Sequence, residues 1–123
     1  MALRTVEQYK QSLRDGREVY YHGKRVDDVT THPVIRVAVN HAAIDYELAE
    51  DPETRDVVTY VDPADGERYS ALFKLPQNPQ DLLNRLAVIE AATAQGRTLV
   101  TLVKDIGNGC LFALKMVSRE MDA

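Results

Sequence analysis

Apolar positions Val6, Tyr9 and Leu13 recur at three- and four-residue intervals, which puts them on one side of a helix. Thr5 stands before that run and Gln8 follows three residues later, the spacing of a reciprocal capping box. Asp15-Gly16 predicts its end, since glycine enters the left-handed conformation past a helix terminus at little cost. The period then changes. Residues 18–26 hold two short β-prone runs around His22-Gly23, which predicts a tight hairpin with Tyr20 and Tyr21 on opposite faces. A two-stranded ribbon is marginal alone, so it must pack on something larger. Thr30-Thr31-His32-Pro33 predicts the opening of a second helix, with a threonine cap and proline in the first turn. Val34, Val37, Ala38, Ala42, Ile44, Tyr46 and Leu48 give it a broad apolar surface, and Asp51-Pro52 closes it. Residues 57–60 and 69–75 are strand-like and flank the polar turn 62–67, which predicts a second hairpin.

The next start signal is the clearest in the chain. Asn78 is the cap, Pro79 the first helical residue, and Asp81 sits in the first turn, where the helix dipole favours an acid. Leu82, Leu83, Leu86, Ile89 and Ala92 or Thr93 follow at helical spacing, and Gly96 ends or bends the element. The run 97–104 suits either a helix or a strand. Gly107-Asn108-Gly109 predicts a break, with a final helix starting near Cys110 and running through Leu111, Phe112, Leu114, Met116 and Val117. No terminating glycine or proline lies in 118–123, so further polypeptide or a partner subunit is expected to pack there. The expected fold is mainly α with two short β-hairpins, residues 1–123 forming one domain.

Composition narrows the class. Of 123 residues, 45% are hydrophobic and 28% charged, which predicts a globular domain with a true core. The net charge of −4 comes from 15 basic residues scattered among 19 acidic ones, so no basic stripe for nucleic acid or anionic lipid is expected. No window resembles a membrane span, residues 1–5 lack the apolar run of a secretory signal, and the expected compartment is the cytoplasm. One cysteine, Cys110, rules out an internal disulfide and a multi-thiolate zinc site. It reads either as a small core residue or as a thiol activated by a helix N-terminus. His32 could act as a base, but no acidic partner is evident, which favours a role in ordering the turn before Pro33. His41 and Asp45 are spaced for a surface pair on a helix.

Longer stretches carry a resemblance. Residues 7–20 (EQYKQSLRDGREVY), 23–33 (GKRVDDVTTHP), 46–52 (YELAEDP) and 80–83 (QDLL) occur in an order that resembles the amino-terminal domain of the 4-hydroxyphenylacetate 3-hydroxylase / 4-hydroxybutyryl-CoA dehydratase flavoenzymes. The resemblance implies an acyl-CoA-dehydrogenase-like architecture of which this chain is the amino-terminal helical domain. A middle β-domain and a carboxy-terminal helical bundle would lie outside it. It further implies reduced FAD bound mainly by those outside regions, so no flavin-binding residue carries over. The implied partners are a carboxy-terminal flavin-binding portion or subunit, a homo- or hetero-oligomeric assembly and a flavin reductase. The chain alone is then expected to be inactive.

Two signature positions differ from the family's. Phenol hydroxylases of the family place an arginine after the glycine matching Gly107 and a tyrosine four residues later; here those places hold Asn108 and Phe112. Neither supplies a cation or a phenolic hydroxyl. The dehydratases place two cluster-ligating cysteines before that glycine; here the nearest residues are Thr101 and Asp105, so no iron–sulfur cluster is expected. Three readings follow. The first is part of a reduced-flavin monooxygenase acting on an aromatic or related small substrate, with Thr101, Asn108 and Phe112 at the substrate end. The second is part of a cluster-free acyl-CoA dehydratase or isomerase, which the length from Gln80 to Gly107 and the stretch from Ile35-Arg36 to Tyr46-Glu47-Leu48 favour. The third is a non-catalytic assembly module.

Overall fold

The computed structural model describes residues 3–98 and 102–121, with 102–105 described by their backbone alone. Helix α1 (Val6–Ser12) opens with the expected reciprocal cap: the Gln8 N–H donates to Thr5 Oγ1 at 3.1 Å, and the Thr5 N–H donates to Gln8 Oε1 at 2.9 Å. Strands β1 (Val19–Tyr21) and β2 (Lys24–Val26) form an antiparallel ribbon pairing Val19 with Val26. His22 and Gly23 both take positive φ, 48° and 74°, the twist a two-residue turn needs to join right-twisted strands. Tyr20 faces solvent, while Tyr21 is half-buried with its ring centre 5.1 Å from that of His32.

Helix α2 (Ile35–Glu50) starts later than the threonines suggest, and no threonine caps it. The Thr30 N–H and hydroxyl are both taken by Asp28 Oδ1, at 2.7 and 2.6 Å. His32 Nδ1 instead accepts from the N–H groups of Val34 and Ile35, each at 3.3 Å. The turn-ordering reading of His32 is therefore the one its contacts support. Val39, Ala43, Ile44 and Leu48 are buried, whereas Val34 and Val37 are exposed: the broad apolar surface spans more than the packed face. Tyr46 stacks on Tyr9 with ring centres 4.9 Å apart, tying α1 to α2.

The second hairpin is present but shorter than the β-prone runs. A helical turn, α3 (Arg55–Val58), takes Val57 and Val58 before β3 (Thr59–Val61) pairs antiparallel with β4 (Arg68–Ser70). Local hydrogen bonds explain the shortening. The Thr54 hydroxyl donates to the Leu48 carbonyl at 2.6 Å, and the Arg55 guanidinium donates to the carbonyls of Ala49 and Glu50 at 3.2 and 2.8 Å. The chain thereby covers the orphan carbonyls at the end of α2, and this holds 54–58 in a helical bend. After β4 a 3-10 turn, Ala71–Phe73, sinks Leu72 into the centre at 1% exposure.

Helix α4 (Pro79–Gly96) is capped as expected, the Asp81 N–H donating to Asn78 Oδ1 at 3.0 Å, and it ends where Arg97 turns left-handed at φ 51°. Its inner side buries Val88 and Ala92, which complete a core with Ile44, Leu48, Val58 and Leu72. Leu82, Leu83 and Leu86 point outward. Helix α5 (Leu102–Met121) overturns the expected break: it runs unbroken through Gly107, Asn108 and Gly109, and Cys110 is no helix start. Each interior glycine costs about 1 kcal/mol relative to alanine, too little to interrupt twenty residues that otherwise favour a helix. Of the ambiguous run 97–104, residues 102–104 are helical, and 99–101 lie outside the described residues.

Candidate functional site

The two long helices build the region where the substrate-end residues were expected. Helix α5 meets α4 where the Phe112 ring lies against Arg85. Asn108 is 7% exposed and Phe112, one turn on, is half-buried. From α4, the Arg85 guanidinium lies 4.8 Å from the centre of the Phe112 ring, a cation–π distance, and Nη1 donates to the Leu72 carbonyl at 2.8 Å. Arg85 thus links the core turn to α5. The opposite side of α5 carries Ile106, Leu114, Val117 and Met121 at helical spacing, all exposed, Met121 by 81%. The helix is amphipathic with its greasy side outward.

Asn108 keeps an unmet demand. Its Nδ2 is buried and has no hydrogen-bond partner among the described residues. A buried donor left in that state carries a desolvation cost of about 1–3 kcal/mol until an acceptor meets it. The Nε2 of His41 is in the same condition, and both His41 and Asp45 are half-buried where a surface pair was expected. Cys110 is exposed, eight residues beyond the start of α5. It is therefore not a core residue, and it does not stand at a helix N-terminus. Thr101 lies outside the described residues, and Asp105 is described by backbone alone.

Two grooves border Phe112. One, of about 610 Å³, runs between α4 and α5 and is walled by Pro79, Leu82, Arg85, Gly109, Phe112 and Met116. The other, of about 500 Å³, is bordered by Tyr60, Phe73, Lys74, Lys115 and Arg119, with Phe112 shared. In the second, the Lys74 ammonium is held by Asp81 Oδ1 at 2.6 Å and lies 5.5 Å from the Tyr60 ring centre. The Lys74 hydrogen bond, with the Gln77 N–H donating to Oδ2 at 3.0 Å, keeps the Asp81 carboxyl below the usual carboxylate range. Asn108 borders neither groove. The expected trio is thus only partly assembled: Asn108 and Phe112 share one side of α5, but only Phe112 reaches a groove. Sequence reasoning missed Arg85, whose signal was a lone cation among Leu82, Leu83 and Leu86.

Around the larger groove, the described residues offer no open seat for the pyrophosphate of a flavin dinucleotide. That group needs open backbone N–H groups or free cations. Beside the larger groove, the N-terminus of α4 is closed by the Asn78 side chain, and Arg85 is engaged with Leu72 and Phe112. Among the described residues, no cluster of three or more His, Cys, Asp or Glu could hold a metal ion, and no helix is long and apolar enough to cross a membrane.

The described residues form a mainly helical body with two small antiparallel ribbons and a long helix, α5, whose apolar side is exposed. The chain belongs to the family described as 4-hydroxyphenylacetate 3-hydroxylase N terminal, which it matches over residues 5–123. It is 47% identical over 88 residues to the oxygenase component of a 4-nitrophenol 4-monooxygenase/4-nitrocatechol 2-monooxygenase from Rhodococcus opacus, covering 72% of this chain and 16% of that protein. It is 39% identical over 79 residues to the oxygenase component of 4-hydroxyphenylacetate 3-monooxygenase from Escherichia coli, covering 63% of this chain and 15% of that protein. Among solved structures it is similar to the oxygenase component of 4-hydroxyphenylacetate 3-monooxygenase complexed with FAD and 4-hydroxyphenylacetate. That match has a TM-score of 0.68 and 34% identity, over 76% of this chain and 19% of the solved one. The chain therefore spans about a sixth of the length of the curated relatives it matches.

Proposed function

We propose that this chain is the substrate-side helical part of the oxygenase component of a reduced-flavin-dependent monooxygenase that hydroxylates a phenol or related small aromatic. The observation that carries the reading is the family match over 5–123, joined to the structural likeness to an oxygenase that holds FAD and 4-hydroxyphenylacetate. The flavin is assigned to protein outside this chain, where it supplies the oxygen-transfer chemistry, while the polypeptide orients and shields the substrate. A separate flavin reductase is the implied source of the reduced cofactor, and the cytoplasm the implied compartment.

In this reading the chain's own residues bind and exclude. Asn108 offers a neutral donor where an acceptor oxygen is wanted, and Phe112 offers an apolar face with no hydroxyl. Thr101 is a candidate for the same end through the family resemblance alone. Phe112, which borders both grooves, suits a substrate held by ring contact better than one held by a tyrosine hydroxyl. The outward side of α5, with Leu82, Leu83 and Leu86 on α4, is a surface for the remaining polypeptide. That same surface also favours the assembly-module reading, in which the chain binds a partner but serves no chemistry.

The test combines the chain with the middle and carboxy-terminal portions of its oxygenase, reduced FAD and a panel of phenols. Retained flavin and hydroxylated product are expected. An assembly that binds no flavin overturns the reading in favour of the assembly module. Crotonyl-CoA formed from 4-hydroxybutyryl-CoA overturns it in favour of the dehydratase.

A further inference from the structure

The outward side of α5 has a spacing and an order of sizes of its own. Gly107, Cys110, Leu114, Val117 and Met121 recur at alternating intervals of three and four residues, the seam of a helix that packs along a second helix. All five are exposed, Leu114 by 68% and Met121 by 81%. From Ile106 to Ser118 this side carries no charged residue, whereas Lys115 and Arg119 stand on the other side, around a groove that Phe112 borders. On a helix about 30 Å long, a seam of this period fits another helix.

The order of sizes says which helix. The small residues, Gly107 and Cys110, occupy the amino-terminal half of the seam, and Leu114, Val117 and Met121 the carboxy-terminal half. A second α5 laid antiparallel about the level of Phe112 sets Gly107 against Val117 and Cys110 against Leu114, and two-fold symmetry repeats both pairs. Each layer then joins one small side chain to one large one, which fills the space between the helices evenly. A parallel copy would set Gly107 against Gly107 and Leu114 against Leu114, leaving a gap at one end. Gly107 adds an independent sign. Its backbone is ordinary helix, so no left-handed turn calls for glycine, and a Cβ added there meets nothing within 4 Å. Helix stability argues for alanine at such a position, and close approach of a second backbone is the use glycine has there.

We propose that two copies of this chain associate through antiparallel α5 helices, with Gly107 of each receiving Val117 of the other and Cys110 of each receiving Leu114. The inference does not rest on the oxygenase reading. It gives the outward stripe an occupant in the chain as it stands, one that competes with the remaining polypeptide for the same seam. A contact one helix wide is smaller than the roughly 800 Å² per partner of a standard interface, so the dimer is weak, with a dissociation constant on the order of 10 µM.

Sedimentation equilibrium of the 123-residue chain under reducing conditions should show a monomer–dimer equilibrium. Gly107→Phe, which fills the seam, and Val117→Asp, which charges it, should each weaken the dimer by roughly tenfold or more while far-UV circular dichroism shows the helix content retained. The two act at different points, so if one variant unfolds the other decides. A thiol pair reads the register. With oxidised glutathione, the Leu114→Cys chain should form a disulfide-linked dimer, and adding Cys110→Ser should abolish the link. Wild type should not cross-link, because antiparallel copies of Cys110 sit about 6 Å out of register along the axis. A chain that stays monomeric up to about 1 mM overturns the proposal; if that monomer binds the separate middle and carboxy-terminal portions of its oxygenase, the stripe belongs to them. A dimer that both Gly107→Phe and Val117→Asp leave intact overturns it, since the contact then lies elsewhere. Wild-type chains linked through Cys110 overturn it as well, since they pair in parallel.

Discussion

Tyr69 donates its phenol hydrogen to Asp65 Oδ2 at 2.6 Å, and that bond has two electrostatic consequences. It pushes the Tyr69 pKa up to about 12 and, with the Glu67 N–H, holds Asp65 below the usual carboxylate range. The sign for stability follows. Unfolded Tyr69 ionises near pH 10 while the folded phenol still holds its proton, so this contribution declines as pH rises from about 10 toward the folded value. Asp65→Asn should return the Tyr69 ionisation toward pH 10, read by ultraviolet absorbance during an alkaline titration. Asp81 works at the opposite end of the scale. Its depressed pKa, caused first by the Lys74 hydrogen bond, gives stability above the ordinary carboxylate range that is lost as pH falls through the folded value. Asp81→Asn should lower the Tm at neutral pH and flatten its decline below about pH 4, as calorimetry across a pH series would show.

Among the elements, α5 departs most from its sequence pattern. Gly107-Asn108-Gly109 carries the composition of a loop, yet the helix continues through it. A turn signal is a local preference of about 1 kcal/mol per glycine, and it loses to the summed propensity of the flanking residues and to burial of Asn108 and Phe112 on the body. Gly107→Ala tests this directly. Its added Cβ meets nothing within 4 Å, so the substitution should stabilise the chain by about 0.5–1 kcal/mol, seen as a higher melting midpoint by circular dichroism. Were 107–109 a true break, alanine there would leave the melt unchanged. The second hairpin shows the reverse competition: Val57 and Val58 favour strand, but Thr54 and Arg55 bind the end of α2 and pull both valines into a helical turn.

For the molecule as a whole, the core is small and the apolar surface large. Among the described residues, six buried side chains form the central cluster, from α2, α3, the 3-10 turn and α4. The outward residues of α5 and α4 are the same types that fill interiors elsewhere. A stripe of that extent marks an interaction surface. The chain should therefore bind an apolar fluorescent dye, and Leu114→Glu with Val117→Glu should reduce that fluorescence without lowering the melting midpoint. Dye binding unchanged by the double variant would place the exposed apolar surface elsewhere.

Local signals settled most of the elements: the capping box at Thr5 and Gln8, the His22-Gly23 turn and the Asn78-Pro79 start all depend on contacts within a few residues, which a linear pattern contains. Asn108 and Phe112 stood out only through their place in a family-like stretch, and the structure sets them one turn apart on α5. The tertiary structure alone decided which apolar faces are buried. Val37 and Leu82 look no less like core residues than Leu48 and Val88, and only packing between distant segments separates them. It alone brought Arg85 onto Phe112, since a contact between residues on two helices has no periodic trace in either. Sequence specifies short-range hydrogen bonds one residue at a time, whereas burial depends on how many elements compete for the same small interior.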